Sequence, residues 1–201
     1  MIYEQAILEA MAKLNGGVIA IDGRAAAGKT TLSSNFASGT IIKMDDFFLP
    51  PELRTSERLA APGGNIHYER FIDEVLPNLR TGQAFKYRKF DCSRMEYGDT
   101  IKIEPHPWRV VEGVYSCHPV FGDYMDISIF VDVEPGEQIA RIYNRNNPAM
   151  AARYIDKWIP MEENYFNAYS IRQAADIVII NENGDHYVLP PRSNSRCAHS
   201  Q

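Results

Sequence analysis

Gly23-Arg24-Ala25-Ala26-Ala27-Gly28-Lys29-Thr30 fits the pattern G-x-x-x-x-G-K-[ST], and Thr31 follows it. Glycines let a loop fold tightly enough for successive backbone N–H groups to converge, and a helix N-terminus adds partial positive charge; together these suit phosphate oxygens. Lys29 can reach the outer phosphates of a nucleotide, and the Thr30 hydroxyl is a hard oxygen donor for Mg²⁺. A short apolar run, Val18 to Ile21, precedes the motif, and a helix is expected from Lys29 to about Ala37. Strand, loop and helix in that order favour nucleotide binding over a mere glycine-rich turn.

Carboxylates stand where such a loop needs them. In an open parallel sheet, ligands gather beyond the carboxyl ends of the strands, and Asp22, Asp45, Glu112 and Asp132 fall at or near the ends of apolar runs. Asp45, in IIKMDDFFLP at 41–50, lies 16 positions after Lys29, a short helix plus a strand, so it returns to the edge that carries the loop. There it can orient an acceptor hydroxyl and take its proton during phosphoryl transfer. Asp46 reads first as a turn or helix cap, and second as a partner in catalysis. Glu112, within VVEGVY, suits Mg²⁺ held through water, with Gly113 giving the backbone room; the alternative is a buried Glu paired with a neighbouring Lys or Arg. Asp22 and Asp132 read as caps of strand-to-helix turns. Arg141 and Arg145 are four apart on one helix, as are Arg153 and Lys157 farther on. That spacing fits either a solvated face or a basic lid closing over phosphates.

Helical and strand-like segments alternate along the chain. Ile2, Ala6, Ile7, Met11 and Leu14 give the apolar face of an amphipathic helix, which Gly16 and Gly17 end. Strands are expected at 18–21, 40–44, 109–115, 126–133 and 175–180, and runs this apolar belong to a parallel sheet covered on both faces. Between the second and third strands, Asn65 is expected to cap a helix carrying Tyr68, Phe71, Ile72, Val75, Leu76 and Leu79 inward, with Gly82 as its stop. FKYRKFDCSRMEYGDTIKIEP then reads as a β-hairpin turning near Gly98 and Asp99, within an insertion of about 83–105. Pro135 opens another helix, which leads into the 141–158 lid segment. Residues 1–189 form one α/β domain, and the Ser, Asn, Arg and Pro of 190–201 predict a disordered tail.

With 201 residues, 45% hydrophobic and 23% charged, the chain can bury one substantial core. A net charge of -5 argues against a nucleic-acid binder with a general basic surface. No run approaches a membrane span, and the charged N-terminal helix is no signal peptide. Cys92, Cys117 and Cys197 are far apart and odd in number, which fits a reducing cytosol, and no His or Cys spacing suggests zinc. A cytoplasmic protein without nucleic-acid or membrane partners is expected, with a homo-oligomer left open.

Taken in order, GRAAAGKTT, MDDFF, GGNIHYERF, KFD, VVEGVY and the Arg-bearing helix followed by ENYFNAYSIRQAADIVI resemble the uridine kinase-like family of P-loop kinases, which includes phosphoribulokinase and bacterial-type pantothenate kinase. The resemblance runs from about Gly17 to Ile180. It implies a three-layer P-loop NTPase fold with a five-stranded parallel sheet ordered 2-3-1-4-5, and ATP, Mg²⁺ and a small hydroxylated acceptor as ligands. By position, Asp45 matches the family's catalytic base, Lys29 and Thr30 its phosphate and metal residues, Glu112 the carboxylate near the metal, and Arg141 and Arg145 its lid. The acceptor side departs. His67 stands where uridine kinases have an Asp that holds ribose hydroxyls, and Cys92 and Met95 stand where an aromatic residue and a His contact the pyrimidine. These departures point away from uridine and leave the phosphoryl-transfer residues intact. His67 is either an acceptor contact or only the first turn of a helix. Arg88 and Asp91 on the hairpin are further candidate acceptor contacts, and Tyr87 or Phe90 can pack against a ring.

The expected activity is transfer of the γ-phosphoryl group of ATP to a hydroxyl of a nucleoside-like or other small metabolite, a vitamin precursor or sugar being the alternative. A regulatory GTPase competes, but neither N-K-x-D nor D-x-x-G occurs. A nucleotide-binding protein without turnover also fits the changes at 67, 92 and 95.

Overall fold

Val18, Ile19, Ala20 and Ile21 are all buried, so this strand is apolar on both faces, and such a strand is stable only where helices cover both. The computed structural model, which describes residues 2–35, 41–182 and 185–188, places it in the middle of a six-stranded sheet. Along the chain run α1 (Ile2–Met11), β1 (Gly17–Gly23), α2 (Lys29–Ser34), β2 (Ile41–Lys43), α3 (Ser56–Ala60), α4 (Tyr68–Glu74) and α5 (Leu76–Leu79). After these come the hairpin strands β3 (Phe85–Asp91) and β4 (Glu96–Ile103), then β5 (Trp108–Glu112), β6 (Ile127–Asp132), α6 (Pro135–Arg145) and α7 (Pro148–Arg153). A π-helical turn, Tyr154–Trp158, leads into α8 (Ile159–Ala168), followed by α9 (Ile171–Ala174), β7 (Ile177–Glu182) and β8 (Asp185–Val188).

The sheet order is β2-β5-β1-β6-β7-β8. Its first five strands are parallel, and counted among themselves they follow the 2-3-1-4-5 order that the family resemblance implies. The sixth, β8, is antiparallel to β7 and was not expected. Asn183-Gly184 lies between the two strands, a dipeptide favoured by two-residue hairpins. The expected tail at 190–201, the helix end at Ala37 and the strand start at Thr40 lie outside the described residues.

Alternation along β1 sends its side chains to two cores. Ile19 and Ile21 join Ile7 of α1 and Leu32 of α2 on one face, while Val18 and Ala20 join Phe71 of α4 and Tyr165 and Phe166 of α8 on the other.

Two local expectations are corrected. The helix expected from Asn65 starts at Tyr68, because the preceding residues pair with the chain after β2: Leu49 N–H donates to Asn65 O at 2.8 Å and His67 N–H to Phe47 O at 2.7 Å. The hairpin turns at 92–95, and Gly98 and Asp99 lie inside β4. Asp91 Oδ1 fixes that turn by accepting from Ser93 N–H at 2.8 Å and the Ser93 hydroxyl at 2.6 Å, as a short carboxylate does when it captures the chain two residues on.

Gly23, where β1 leaves the sheet, has φ +131°, and a Cβ there would stand 2.0 Å from the carbonyl oxygen of Val131 on β6. Gly23→Ala should therefore lower the unfolding free energy by at least about 2 kcal/mol, seen as a reduced urea midpoint; an unchanged midpoint would mean that β1 and β6 can separate at little cost.

Candidate active site

The loop between β1 and α2 has its carbonyls held by Lys29 and by three distant side chains. Lys29 Nζ donates to Gly23 O at 2.7 Å and to Arg24 O at 2.8 Å. Gln138 Nε2 donates to Ala25 O at 3.1 Å, Arg141 Nη1 to Ala26 O at 3.2 Å, and Asn181 Nδ2 to Ala27 O at 2.8 Å. In a planar trans peptide the C=O and the following N–H point opposite ways, so these bonds turn the Ala26 and Gly28 N–H groups toward the concave side. Ala26 and Gly28 have φ of 60° and 101°, the left-handed conformations from which anion-binding nests are built. The donor set fits a phosphate chain.

Arg141 thus braces the loop from behind and also bonds Glu137 and Asn181. Expected in a basic lid, Arg141 faces the Ala26 carbonyl in this structure. Arg145 is separate: it is exposed, with its guanidinium 5.3 Å from the Tyr154 ring centroid. Arg24 is likewise occupied, pairing with Asp132 at 2.7 Å and with Glu163. Asp132 Oδ1 also accepts from Val133 N–H at 3.0 Å, but the cap of α6 is Glu134, whose Oε2 accepts from Glu137 N–H at 3.0 Å; in place of the expected cap role, Asp132 pairs with Arg24 and Arg172.

Thr30 Oγ1 donates to Glu112 Oε1 at 3.1 Å, bringing the two expected metal residues together. Burial pushes the Glu112 carboxyl up, opposed by the Lys29 charge and the Thr30 bond. A hydroxyl and a carboxylate side by side suit Mg²⁺, which keeps most of its shell as water and phosphate oxygens. Among the described residues no group of three or more His, Cys, Asp or Glu could hold a metal alone. Thr31, next in α2, is exposed.

The adjacent aspartates part company in a 3₁₀ turn, Met44–Phe47. Asp45 is exposed, and its charge acts on Glu112, Tyr115, Glu162, Tyr154 and Cys92. Asp46 is buried and accepts from the Tyr87 hydroxyl at 2.8 Å; burial pushes its carboxyl up.

On the acceptor side, Tyr87 is buried against Phe47, and Phe90 is buried with its ring edge-on to Tyr97. Both rings turn into the protein: Tyr87 follows Phe85 in the strand's alternation, and the bulge between Arg88 and Phe90 returns Phe90 to that same face. Asp91 is occupied by its turn. Arg88 is exposed, 5.0 Å from the Tyr97 ring centroid. His67 is half-buried at the start of α4, with Nδ1 3.4 Å from the Tyr97 hydroxyl, and burial lowers its pKa.

Four residues at the loop escaped the sequence reading in their observed places: Gln138, Asn181, Asp22 and Glu162. Asp22 is fully buried and accepts from Gly23 N–H, Tyr115 N–H, Cys117 N–H and the Tyr165 hydroxyl. Glu162 Oε2 accepts from Ala25 N–H at 3.0 Å. Its signal was a carboxylate three and four residues before Tyr165 and Phe166, on the apolar stripe of α8. Burial pushes Glu162 up to about 7 from an ordinary 4.5.

That shift has a sign. The folded chain holds the Glu162 proton more tightly than the unfolded chain, so the stabilisation is complete below pH 4.5 and is lost as pH rises through about 7. Glu162→Gln should match the parent at pH 4.5 and exceed it by roughly 3 kcal/mol at pH 8 in denaturant unfolding; equal stabilities at pH 8 would mean that the carboxylate is well solvated.

Neither a family model nor a curated protein sequence matches the chain. Solved structures do. A possible uridine kinase from Bacillus stearothermophilus superposes with a TM-score of 0.65 at 16% identity, over 88% of this chain and 95% of that one. A candidate fructose transport system kinase from Silicibacter sp. TM1040 superposes with a TM-score of 0.63 at 22% identity, over 87% and 95%. At such identities the likeness establishes the fold alone: this chain shares the fold of these two proteins across nearly its whole length.

Proposed function

We propose that the protein is an ATP-dependent, Mg²⁺-requiring phosphotransferase acting on a hydroxyl of a small metabolite. The observation that carries this is a convergence on one sheet edge: a loop whose Ala25, Ala26 and Ala27 carbonyls are held from outside it, the Thr30–Glu112 oxygen pair, and an exposed carboxylate at Asp45. Both structural neighbours bear kinase names, one for a nucleoside and one for a sugar, in keeping with a hydroxylated acceptor.

In this reading the loop from Gly23 to Thr31 binds the phosphates, Lys29 swings from its loop carbonyls to the outer phosphates, and Thr30 and Glu112 hold Mg²⁺. Asp45 orients the acceptor hydroxyl and takes its proton as the new O–P bond forms and the bond to the ADP oxygen breaks. Arg145, with Tyr154, approaches from the 141–158 segment and is the better placed of the two lid arginines to meet developing charge. His67 and Arg88 form the acceptor wall with Tyr97.

An ADP-release screen over nucleosides, sugars and vitamin precursors tests the reading; ATP binding without turnover on any acceptor would favour a silent nucleotide-binding protein. Asp45→Asn should lower kcat by about 10²–10⁴-fold while ATP still binds. Asp46→Asn, which keeps an oxygen for Tyr87, should stay within about tenfold of the parent. Equal losses at the two positions would overturn the assignment of the base. Lys29→Ala should weaken both ATP affinity and rate, and no change in either would contradict the phosphate-loop assignment.

A further inference from the structure

Glu162 is an anion at a loop that otherwise offers donors to an anion. It is 6% exposed, and its Oε2 lies 3.0 Å from Ala25 N. The titratable groups around it come from every side: Lys29 at the start of α2, Asp22 at the end of β1, Asp45 in the 3₁₀ turn, Tyr115 after β5 and Tyr154 in the π-helical turn. Two of these five, Asp22 and Asp45, disfavour its charge, while Tyr115 and Tyr154 are neutral phenols that Glu162 itself holds protonated. Lys29 favours it, but the Lys29 ammonium hydrogen-bonds the loop carbonyls of Gly23 and Arg24.

We infer that Glu162 is a positioning residue of the phosphate loop and that it takes up a proton when a nucleotide's phosphates bind there. The inference rests on the phosphate-binding half of the proposed function. As an ionised carboxylate, Glu162 holds Ala25 N–H and so fixes the first turn of the loop. A phosphate chain entering the same loop brings further negative charge beside a carboxylate that has little water, and draws Lys29 toward itself. Both changes favour protonation. A protonated Glu162 keeps one oxygen for Ala25 N–H and gains an O–H that can donate to a phosphate oxygen. Burial has already brought the group to the edge of neutral pH, so the proton is available at little free-energy cost. The nucleotide-bound group then has the higher affinity for protons, so uptake accompanies binding near pH 7 to 8 and affinity falls as pH rises.

Isothermal titration of the full chain with ATP and Mg²⁺, repeated at one pH in buffers of different ionisation enthalpy, reads the proton count directly. Uptake of about half a proton per ATP is expected at pH 7.5, with a roughly tenfold weaker Kd at pH 8.5 than at pH 7. Glu162→Gln should bind ATP with neither effect; the nucleotide's own protonation enters both proteins alike and cancels in the difference. No uptake by the parent, or equal uptake by parent and variant, would overturn the inference while leaving the kinase reading in place. Absence of ATP binding by the parent would overturn both. If Glu162→Gln fails to fold, the parent's proton count and pH series decide alone.

Discussion

The Lys29 ammonium lies against the carbonyls of Gly23 and Arg24, 8% exposed, while Asp22, Glu112 and Glu162 are buried around the same loop, and its charge acts on all three. Burying a carboxylate is costly unless hydrogen bonds and a counter-charge offset the lost water. Asp22 meets that condition with four donors, Glu162 with one backbone N–H, and Glu112 with one hydroxyl. All three are nevertheless raised by burial. Such a set is poor in positive charge for a ligand that is itself an anion. In the proposed function a nucleotide accompanied by Mg²⁺ would bring the missing cation with it, and the Thr30–Glu112 pair would supply hard oxygens beside it.

The loop's shape depends on residues that are distant in sequence. Gln138 and Arg141 come from α6 and Asn181 from β7, 113 to 154 positions from the carbonyls they hold. The far half of the sheet therefore orients the peptide planes of the near half. This dependence explains why a motif of eight residues is insufficient by itself: glycines permit the left-handed turns, but side chains arriving from β7 and α6 select them.

Much of the scaffold was legible because it is periodic. Five apolar runs separated by helices specified the parallel sheet, and the motif between the first run and its helix specified the loop. What stayed hidden depends on which partner faces a residue. Helical spacing placed Arg141 and Arg145 on one helix, but only the packing of α6 against β7 decides that Arg141 turns to Ala26 O while Arg145 meets Tyr154. Alternation found the hairpin, yet the capture of Ser93 by Asp91 moved its turn, and the bulge after Arg88 put Phe90 on the same buried face as Tyr87. The two aspartates at 45 and 46 were distinguished by a different physical fact. A 3₁₀ turn rotates successive residues by about 120°, so one of two neighbours points to solvent and the other toward Tyr87.

The connection between lid and loop follows from the same contacts. Tyr165 of α8 holds Asp22, and Glu162 of α8 holds Ala25, so α8 is tied to the loop at two points less than one turn apart. Any closing motion of residues 141–158 must then stop short of α8, since turning that helix would break both bonds, taking from the buried Glu162 its backbone donor and from Asp22 one of its four donors. The π-helical turn at Tyr154–Trp158 falls at that boundary, where an i→i+5 pattern loosens the backbone ladder. In the proposed function, the moving part of the lid would lie between Arg141, which stays bonded to Ala26 O and Asn181, and this turn, so that it would carry Arg145 while the loop beneath keeps its shape.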